Sequence, residues 1–200
     1  MASLARAAHE YLVAGWPVLP GAYWSPQTCT YRCGRPGCDN GSPHPVDRGV
    51  PGRCGQRVPL RSIAADEVGQ WWNDRGFNLI MPTGGPGATV VEGPARFVAA
   101  IEARLADDGC PLAPVLALPT GERQLFSAPI PVDDELWLAT AMGGATLHGD
   151  GGWVTLPPSI VSGGRLRWER APETIGWRLP PATAVRTALR AVLDPGRAAA

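Results

Sequence analysis

The sequence contains no lysine, so its 18 basic side chains are all arginines. They are balanced by 18 acidic residues, and the formal net charge of zero lacks the basic excess that is typical of dedicated nucleic-acid-binding proteins. No apolar run approaches the roughly 20 residues that a membrane helix needs. The N-terminal apolar pattern is interrupted by His9 and Glu10, unlike a signal peptide. These absences predict a cytoplasmic protein that has no membrane partner.

The 200 residues, of which 44% are hydrophobic, suffice for a sizeable core, and we expect residues 1–200 to form a single domain. Hydrophobic periodicity and its boundaries predict helices over 3–14, 63–75, 95–106, 135–141 and 183–193. The last helix is followed by a tail, and helix and tail together cover 183–200. Ser62 is predicted to cap the second helix. Strands are predicted over 15–21, 78–81, 88–91, 115–118, 125–127, 153–156 and 165–170.

Four of the five cysteines and one of the three histidines lie in a loop region over 22–60. In a cytoplasmic protein, clustered thiols are more often metal ligands than disulfides. Zinc takes four sulfur or nitrogen ligands in a tetrahedron. The spacing therefore predicts a structural zinc site held by Cys33, Cys38, His44 and a fourth ligand, either Cys29 or Cys54. The alternative is a set of free or disulfide-paired cysteines in a flexible loop.

The segment 149–159, GDGGWVTLPPS, combines a glycine-rich turn, a short strand and a proline pair that ends the strand. It resembles the closing motif of the bifunctional DNA primase/polymerase domains, a branch of the archaeo-eukaryotic primases. The helix followed by GWPVLPG at residues 15–21 is similar to the beginning of these domains. Cys33, Cys38 and His44-Pro45 reproduce their C-x4-C-x5-HP segment. The resemblance covers residues 7–170.

The resemblance implies an α+β fold of the primase or RNA-recognition-motif type. Such a fold has a central mixed or antiparallel sheet flanked by helices, here with an N-terminal zinc-binding loop insertion. The resemblance also implies template-directed nucleotidyl transfer with Mg²⁺ or Mn²⁺ if the domain is active, and a nucleotide or single-stranded DNA as the ligand. We expect a replication role to require a replication protein in trans.

Most of the catalytic carboxylates that the resemblance implies are replaced. Glu92 lies where the family has its first metal-binding aspartate, whereas Pro94 and Thr146 lie where it has the second and the third. Two-metal nucleotidyl transfer needs several carboxylates around two ions, so Glu92 and Asp150 are the remaining catalytic candidates. The alternatives are an exposed carboxylate at a strand end for Glu92 and a turn-forming residue for Asp150.

Other positions correspond to nucleotide contacts in the resembling family. Gln124 lies where the family has a phosphate-contacting histidine, and it can donate a hydrogen bond but cannot carry a positive charge. Arg123 could pair with a phosphate, and its alternative is a solvated arginine at a strand end. The further candidates for nucleotide binding are Thr83, Gly84, His148 and Gly151. For the glycines, the alternative role is to form tight turns in the sheet.

Three functions are compatible with these residues. The first is a primase/polymerase-like domain with impaired nucleotidyl transfer, which keeps nucleotide or DNA binding in a replication-related or regulatory role. The second is an active DNA primase/polymerase that uses Glu92 and Asp150. The third is a zinc-stabilised protein-interaction module. The replaced carboxylates favour the first function.

Overall fold

The computed structural model describes residues 3–38, 40–46, 62–73, 76–85, 87–131 and 133–194. The helices within these ranges are α1 (Leu4–Val13), α2 (Val68–Trp72), α3 (Ala95–Asp107), α4 (Asp134–Met142) and α5 (Ala182–Leu193). The strands are β1 (Leu19–Gly21), β2 (Tyr23–Ser25), β3 (Thr30–Arg32), β4 (Asn78–Pro82), β5 (Thr89–Pro94), β6 (Val115–Ala117), β7 (Glu122–Ser127), β8 (Thr146–His148), β9 (Trp153–Leu156), β10 (Ile160–Val161), β11 (Gly164–Arg165) and β12 (Arg167–Arg170). The prediction of mixed helices and antiparallel strands is confirmed.

The chain divides into two compact units. Unit 1 comprises Met1–Pro82 and Gly151–Arg167, and unit 2 comprises Thr83–Asp150 and Trp168–Ala200. The expectation of a single domain over residues 1–200 stays a prediction. Among the described residues, no helix combines the length and the apolar character that crossing a membrane requires.

Unit 1 is built on a three-stranded antiparallel sheet in the order β1-β4-β9. All five residues of β4, NLIMP, are buried. Helix α1 buries Ala7, Ala8 and Tyr11, which recur at helical spacing, and the Tyr11 hydroxyl donates a hydrogen bond to the Pro157 carbonyl at 2.9 Å. Ser3 caps this helix at its N-terminus, where its side chain accepts a hydrogen bond from the Arg6 N–H.

The second predicted helix is shorter than the range 63–75. A 3-10 turn at Ala65–Glu67 leads into α2, which ends at Trp72. The predicted cap at Ser62 is wrong. The Ser62 hydroxyl accepts a hydrogen bond from the Val18 N–H at 3.0 Å, so it is bound to the segment before β1 rather than to a helix terminus.

The predicted loop over 22–60 contains regular structure, because β2 and β3 pair as an antiparallel hairpin. Trp24 and Tyr31 pack against each other, with their ring centroids 5.1 Å apart. Cys33 follows β3 directly and is buried in the same hydrophobic cluster, against which Cys38 packs. The hairpin therefore anchors the cysteine-rich segment to a packed cluster.

Unit 2 contains a five-stranded sheet in the order β12-β6-β7-β5-β8, and the strands β6, β7, β5 and β8 pair antiparallel. Successive side chains of a strand point to opposite faces of the sheet. One face carries Val91, Leu125 and Leu147, which pack with apolar residues of α3, α4 and α5 in a single core cluster. The alternation places Glu92 and Gln124 on the opposite face, which we call the polar face.

Candidate functional site

Three positions on neighbouring strands lie at the same level of the polar face. Glu92 in the central strand β5 is paired with Gln124 of β7 on one side and with Thr146 of β8 on the other. Directly opposed residues of antiparallel strands share a face and have Cβ atoms about 4.5–5.5 Å apart. His148 follows Thr146 by two residues and therefore lies on the same face. The register thus brings Glu92, Gln124 and His148 together, although they are far apart in sequence.

The carboxylate of Glu92 receives two hydrogen bonds. The Gln124 Nε2 group donates to Glu92 Oε2 at 2.6 Å, and His148 Nε2 lies 3.0 Å from the same oxygen. Burial raises the pKa of Glu92, but the hydrogen bonds from His148 and Gln124 and the charge of His148 outweigh it, so the pKa lies below its ordinary value. Glu92 is therefore an ionised carboxylate held by two partners, in the middle of a strand rather than at an exposed strand end.

Gln124 is the most buried member of this group, at 5% exposure. Its amide nitrogen must face the Glu92 carboxylate, which only accepts hydrogen bonds, and this fixes the orientation of the amide. The Gln124 carbonyl oxygen is then buried, and it accepts no hydrogen bond from the residues that the structure describes. A buried acceptor without a donor is costly, and because this oxygen has almost no accessible surface, a ligand could reach it only if neighbouring side chains moved.

Position 94, which the resemblance identifies with a second metal-binding aspartate, carries a proline and offers no metal ligand. Pro94 is two residues beyond Glu92 on β5 and is paired with Glu122 of β7. Glu122 contributes a second carboxylate to this face, and its Oε2 accepts a hydrogen bond from the Thr120 hydroxyl at 3.0 Å. Two separated carboxylates, one of which is bound by an amide and an imidazole, do not form the oxygen-rich, close-set ligand shell that Mg²⁺ or Mn²⁺ requires.

Arg123 does not join this group. It is paired with Gly93 of β5, and a Cβ on Gly93 would lie 3.3 Å from the Phe97 ring of α3, so both positions belong to the helix-covered face. Arg123 Nε forms an ion pair with Glu169 Oε2 of β12 at 2.7 Å. The structure therefore separates Arg123 from Gln124, its neighbour in the chain, by the thickness of the sheet.

Asp150 forms part of a tight turn contact with Thr83 and Gly84. The Thr83 hydroxyl donates to the Gly149 carbonyl at 2.6 Å, and the Gly85 N–H donates to Asp150 Oδ1 at 2.8 Å. A Cβ on Gly84 would lie 1.9 Å from that same Oδ1 atom. Asp150 therefore acts in the structure as the acceptor that holds the turn at residues 83–85.

Gly151 follows Asp150, is exposed, and has a φ of 75°, which favours glycine. It is a turn residue in the structure. Its predicted contact with a nucleotide stays a prediction.

A second cluster lies in unit 1. One ligand atom from each of Cys33, Cys38 and His44 lies within 4.8 Å of the other two, and Cys38 Sγ is 3.6 Å from His44 Nε2. Tetrahedral zinc has bonds of about 2.3 Å to sulfur and about 2.0 Å to nitrogen, so the three atoms are close enough to share one ion. We call these three residues the cysteine cluster.

His44 is oriented for metal binding. Its Nδ1 lies 2.8 Å from the Ser42 carbonyl, which accepts a hydrogen bond from it and leaves Nε2 directed at Cys38 with a lone pair. Burial is the largest influence on the pKa of His44 and lowers it, the bond to Ser42 raises it, and the positive charge of Arg35 lowers it further. The resulting decrease favours the neutral imidazole that binds metals.

The two candidates for a fourth ligand differ in their position. Cys29 is exposed in the turn between β2 and β3, where its thiol lies 3.6 Å from the Pro26 carbonyl, and it is not a member of the cysteine cluster. Cys54 lies outside the described residues. The identity of a fourth ligand stays a prediction.

Sequence reasoning did not find the hydrogen bonds between Glu92, Gln124 and His148, the ion-pair partner of Arg123, or the supporting role of Ser42. The first two depend on the register between strands that are distant in the chain. Ser42 had a usable local signal, because a carbonyl two residues before a histidine is well placed to accept a bond from its Nδ1.

A family model described as "Bifunctional DNA primase/polymerase, N-terminal" matches residues 8–185, which is most of the chain. This match confirms the resemblance that the motifs indicated. A comparison with curated proteins found no match.

Proposed function

The chain belongs to the family of bifunctional DNA primase/polymerase N-terminal domains, and on this premise we propose that it is a primase/polymerase-like domain with impaired nucleotidyl transfer. The resemblance assigns metal-binding aspartates to positions 92, 94 and 146 and a phosphate-contacting histidine to position 124. Positions 92, 124 and 146 are level on one face of the sheet of unit 2, which supports this assignment. In this chain they hold Glu, Gln and Thr.

The observation that carries the proposal is the binding of Glu92 by Gln124 and His148. Two-metal transfer requires carboxylates that coordinate two divalent ions, and these ions stabilise the charge that develops on the phosphate. Glu92 is the one carboxylate at those three aspartate positions, and Oε2 already accepts both side-chain hydrogen bonds. Mg²⁺ and Mn²⁺ do not fit this donor set, so we assign them no role.

We propose that the polar face retains a binding role for a nucleotide or for single-stranded DNA. Membership of the family and the register that places positions 92, 124 and 146 on one face support this. A phosphate-binding role at position 124 is disfavoured, since the amide carries no positive charge. A replication role in the cytoplasm would then depend on a catalytic or unwinding protein supplied in trans.

The proposal extends to two finer features of the fold. The five-stranded sheet of unit 2, with helices on one face, is proposed to correspond to the central sheet of primase or RNA-recognition-motif type. Zinc is proposed as the metal of the cysteine cluster, because two thiols and an imidazole are ligands that zinc prefers. Cys33, Cys38 and His44 would hold the ion, which would stabilise the fold and take no part in catalysis.

Primer extension on a primed single-stranded template, in Mg²⁺ or Mn²⁺, tests the impairment. We compare the wild-type protein with Glu92→Gln and with Glu122→Gln, which removes a carboxylate from the same face at a position that is not an aspartate position of the family. The proposal expects equally low extension by all three proteins. Robust wild-type extension that falls by about 10²–10³-fold in Glu92→Gln, but not in Glu122→Gln, would contradict the impairment and favour an active polymerase.

A further inference from the structure

Unit 1 contains a cavity of about 510 Å³ beside the cysteine cluster. It lies between the β2–β3 hairpin and the turn that carries Cys33 and Cys38. The lining includes two arginines, Arg32 and Arg35, together with tyrosine and threonine side chains, and none of the described residues that line it is acidic. A polar cavity with cationic groups and no carboxylate is suited to an anion.

Strand alternation directs the polar side chains of the hairpin to this cavity. Tyr23 of β2 is the cross-strand partner of Arg32 of β3, so both lie on one face of the hairpin, and Thr30 lies on the same face two residues before Arg32. Tyr31 alternates to the other face, where its ring packs on Trp24. On the face that carries Arg32, the Tyr23 ring packs edge-on against Phe77 with the centroids 6.2 Å apart, whereas Thr30 and Arg32 are exposed.

Two hydroxyl groups supplement the arginines. The oxygens of Thr28 and Thr30 lie 2.7 Å apart and form one hydrogen bond between them. Each hydroxyl carries one hydrogen, so the pair keeps one O–H that is free to donate to a further acceptor. Arg32 is exposed, and within the described ranges it forms no ion pair.

The stretch of sequence that contains the cavity residues is basic. Residues 22–61 contain six arginines and two aspartates, a net charge of +4. The rest of the chain contains 12 arginines and 16 acidic residues, a net charge of −4. The formally neutral protein thus contains a basic segment. Positive charge of this kind attracts polyanions and raises their local concentration.

We propose that this cavity binds phosphate groups of single-stranded DNA through the guanidinium groups of Arg32 and Arg35 and the hydroxyl groups of Thr28 and Thr30. Arginine is suited to this role because its planar fork donates two parallel hydrogen bonds to phosphate oxygens. The site belongs to unit 1, whereas the polar face belongs to unit 2. The choice of DNA as the phosphate source rests on the proposed function, whereas the anion chemistry rests on the cavity itself.

Fluorescence anisotropy with a 5′-labelled oligothymidylate, at salt concentrations from about 50 to 200 mM, tests this proposal. The variants are Arg32→Gln, Arg35→Gln and their double variant, and the matched control is Arg6→Gln. Arg6 is also in unit 1 and is exposed, but it pairs with Glu10 and lies outside the cavity. Circular dichroism and melting temperature check that the variants remain folded.

The proposal expects each cavity variant to weaken binding by about tenfold, the loss of one charge-assisted hydrogen-bonded contact. The negative slope of log K against log salt should become shallower in the double variant by about 1.4, which is about 0.7 for each lost phosphate contact on a single strand. Arg6→Gln should change neither quantity. If the double variant binds like Arg6→Gln, the cavity is not the phosphate site, and the proposal is overturned.

Two further measurements separate this proposal from the proposed function. Photo-crosslinking of the wild-type protein to a 5-iodouracil oligonucleotide should mark a peptide within residues 22–38, and marking confined to unit 2 would overturn the cavity proposal even if DNA binds. In a competition with a nucleoside triphosphate at equal phosphate concentration, displacement of the oligonucleotide would indicate that the cavity binds a free nucleotide as well as a strand. Loss of oligonucleotide binding in Gln124→Ala, with the cavity variants unaffected, would support the polar face alone.

Discussion

Replacing Gly84 with alanine should destabilise the protein far more than the same replacement at Gly144. Both glycines have a φ of +74°, so both substitutions impose the left-handed backbone on a residue with a Cβ. They differ in their surroundings. At Gly144 nothing lies within 4 Å of the added Cβ, whereas at Gly84 the Cβ would lie 1.9 Å from Asp150 Oδ1 and 2.6 Å from both the Cα and the N atom of Asp150.

The two costs can be separated. The left-handed conformation costs about 1–2 kcal/mol for alanine at either position. At Gly84 the turn must also open, because two of the three close atoms are backbone atoms that no side-chain rotation moves. Opening breaks the bond from the Gly85 N–H to the Asp150 carboxylate, and a hydrogen bond to a charged group contributes about 1.5–3 kcal/mol. We expect a loss of about 1–2 kcal/mol for Gly144→Ala and about 2.5–5 kcal/mol for Gly84→Ala.

Urea unfolding monitored by the fluorescence of the eight tryptophans measures both values. A lower midpoint with an unchanged m-value would report a change in stability rather than in compactness. The double variant Gly84→Ala/Asp150→Gly removes the carboxylate but keeps the backbone contacts, so it should recover little of the loss. Equal losses for Gly84→Ala and Gly144→Ala would refute the reasoning, because the turn would then yield at no cost and Asp150 would not be held by it.

Two further predictions concern the cysteine cluster and Glu92. Purified protein should contain about one zinc ion per chain, Cys38→Ser should lose it with a lower melting temperature, and Cys110→Ser, at a cysteine outside the cysteine cluster, should retain it; metal analysis that shows no difference between the two variants would contradict the site. Because the pKa of Glu92 is below its ordinary value of 4.5, the stability that ionised Glu92 contributes is present in full above pH 4.5 and is lost as the pH falls through the lower pKa of the folded protein. The stability difference between the wild type and Glu92→Gln, measured by urea midpoints in steps of pH, should therefore shrink in acid, and a difference independent of pH would rule out the depressed pKa.

The elements with local signals could be predicted from the sequence. The helix expected over 95–106 is observed as Ala95–Asp107, and the strand expected over 153–156 is observed at those residues. Apolar periodicity and glycine or proline boundaries lie within such segments themselves. The β2–β3 hairpin had a comparable signal, since aromatic and β-branched residues flank the four residues of its turn. The cysteines in the same segment favoured its interpretation as a loop.

The site could be predicted only in part. The spacing of Cys33, Cys38 and His44 is local, and the structure brings these residues together. The partners of Glu92 are not local, because Gln124 is 32 residues away and His148 is 56 residues away. Their contact depends on which strands pair and in which register, and a single strand pattern does not encode that. The separation of Arg123 from Gln124 was not predicted, although the two-residue period of a strand places neighbouring residues on opposite faces.

The bonding of Glu92 has a consequence for how this part of the protein depends on its surroundings. Several carboxylates held close together repel one another, and such a group is tolerable only when cations or protons neutralise it. Here Glu92 is the one carboxylate at the three aspartate positions of the family, and it accepts hydrogen bonds from an amide and an imidazole of the same chain. We expect the folding of unit 2 to be indifferent to the supply of divalent ions. With one carboxylate at three aspartate positions, this face also has less of the negative charge with which a catalytic face binds its metals.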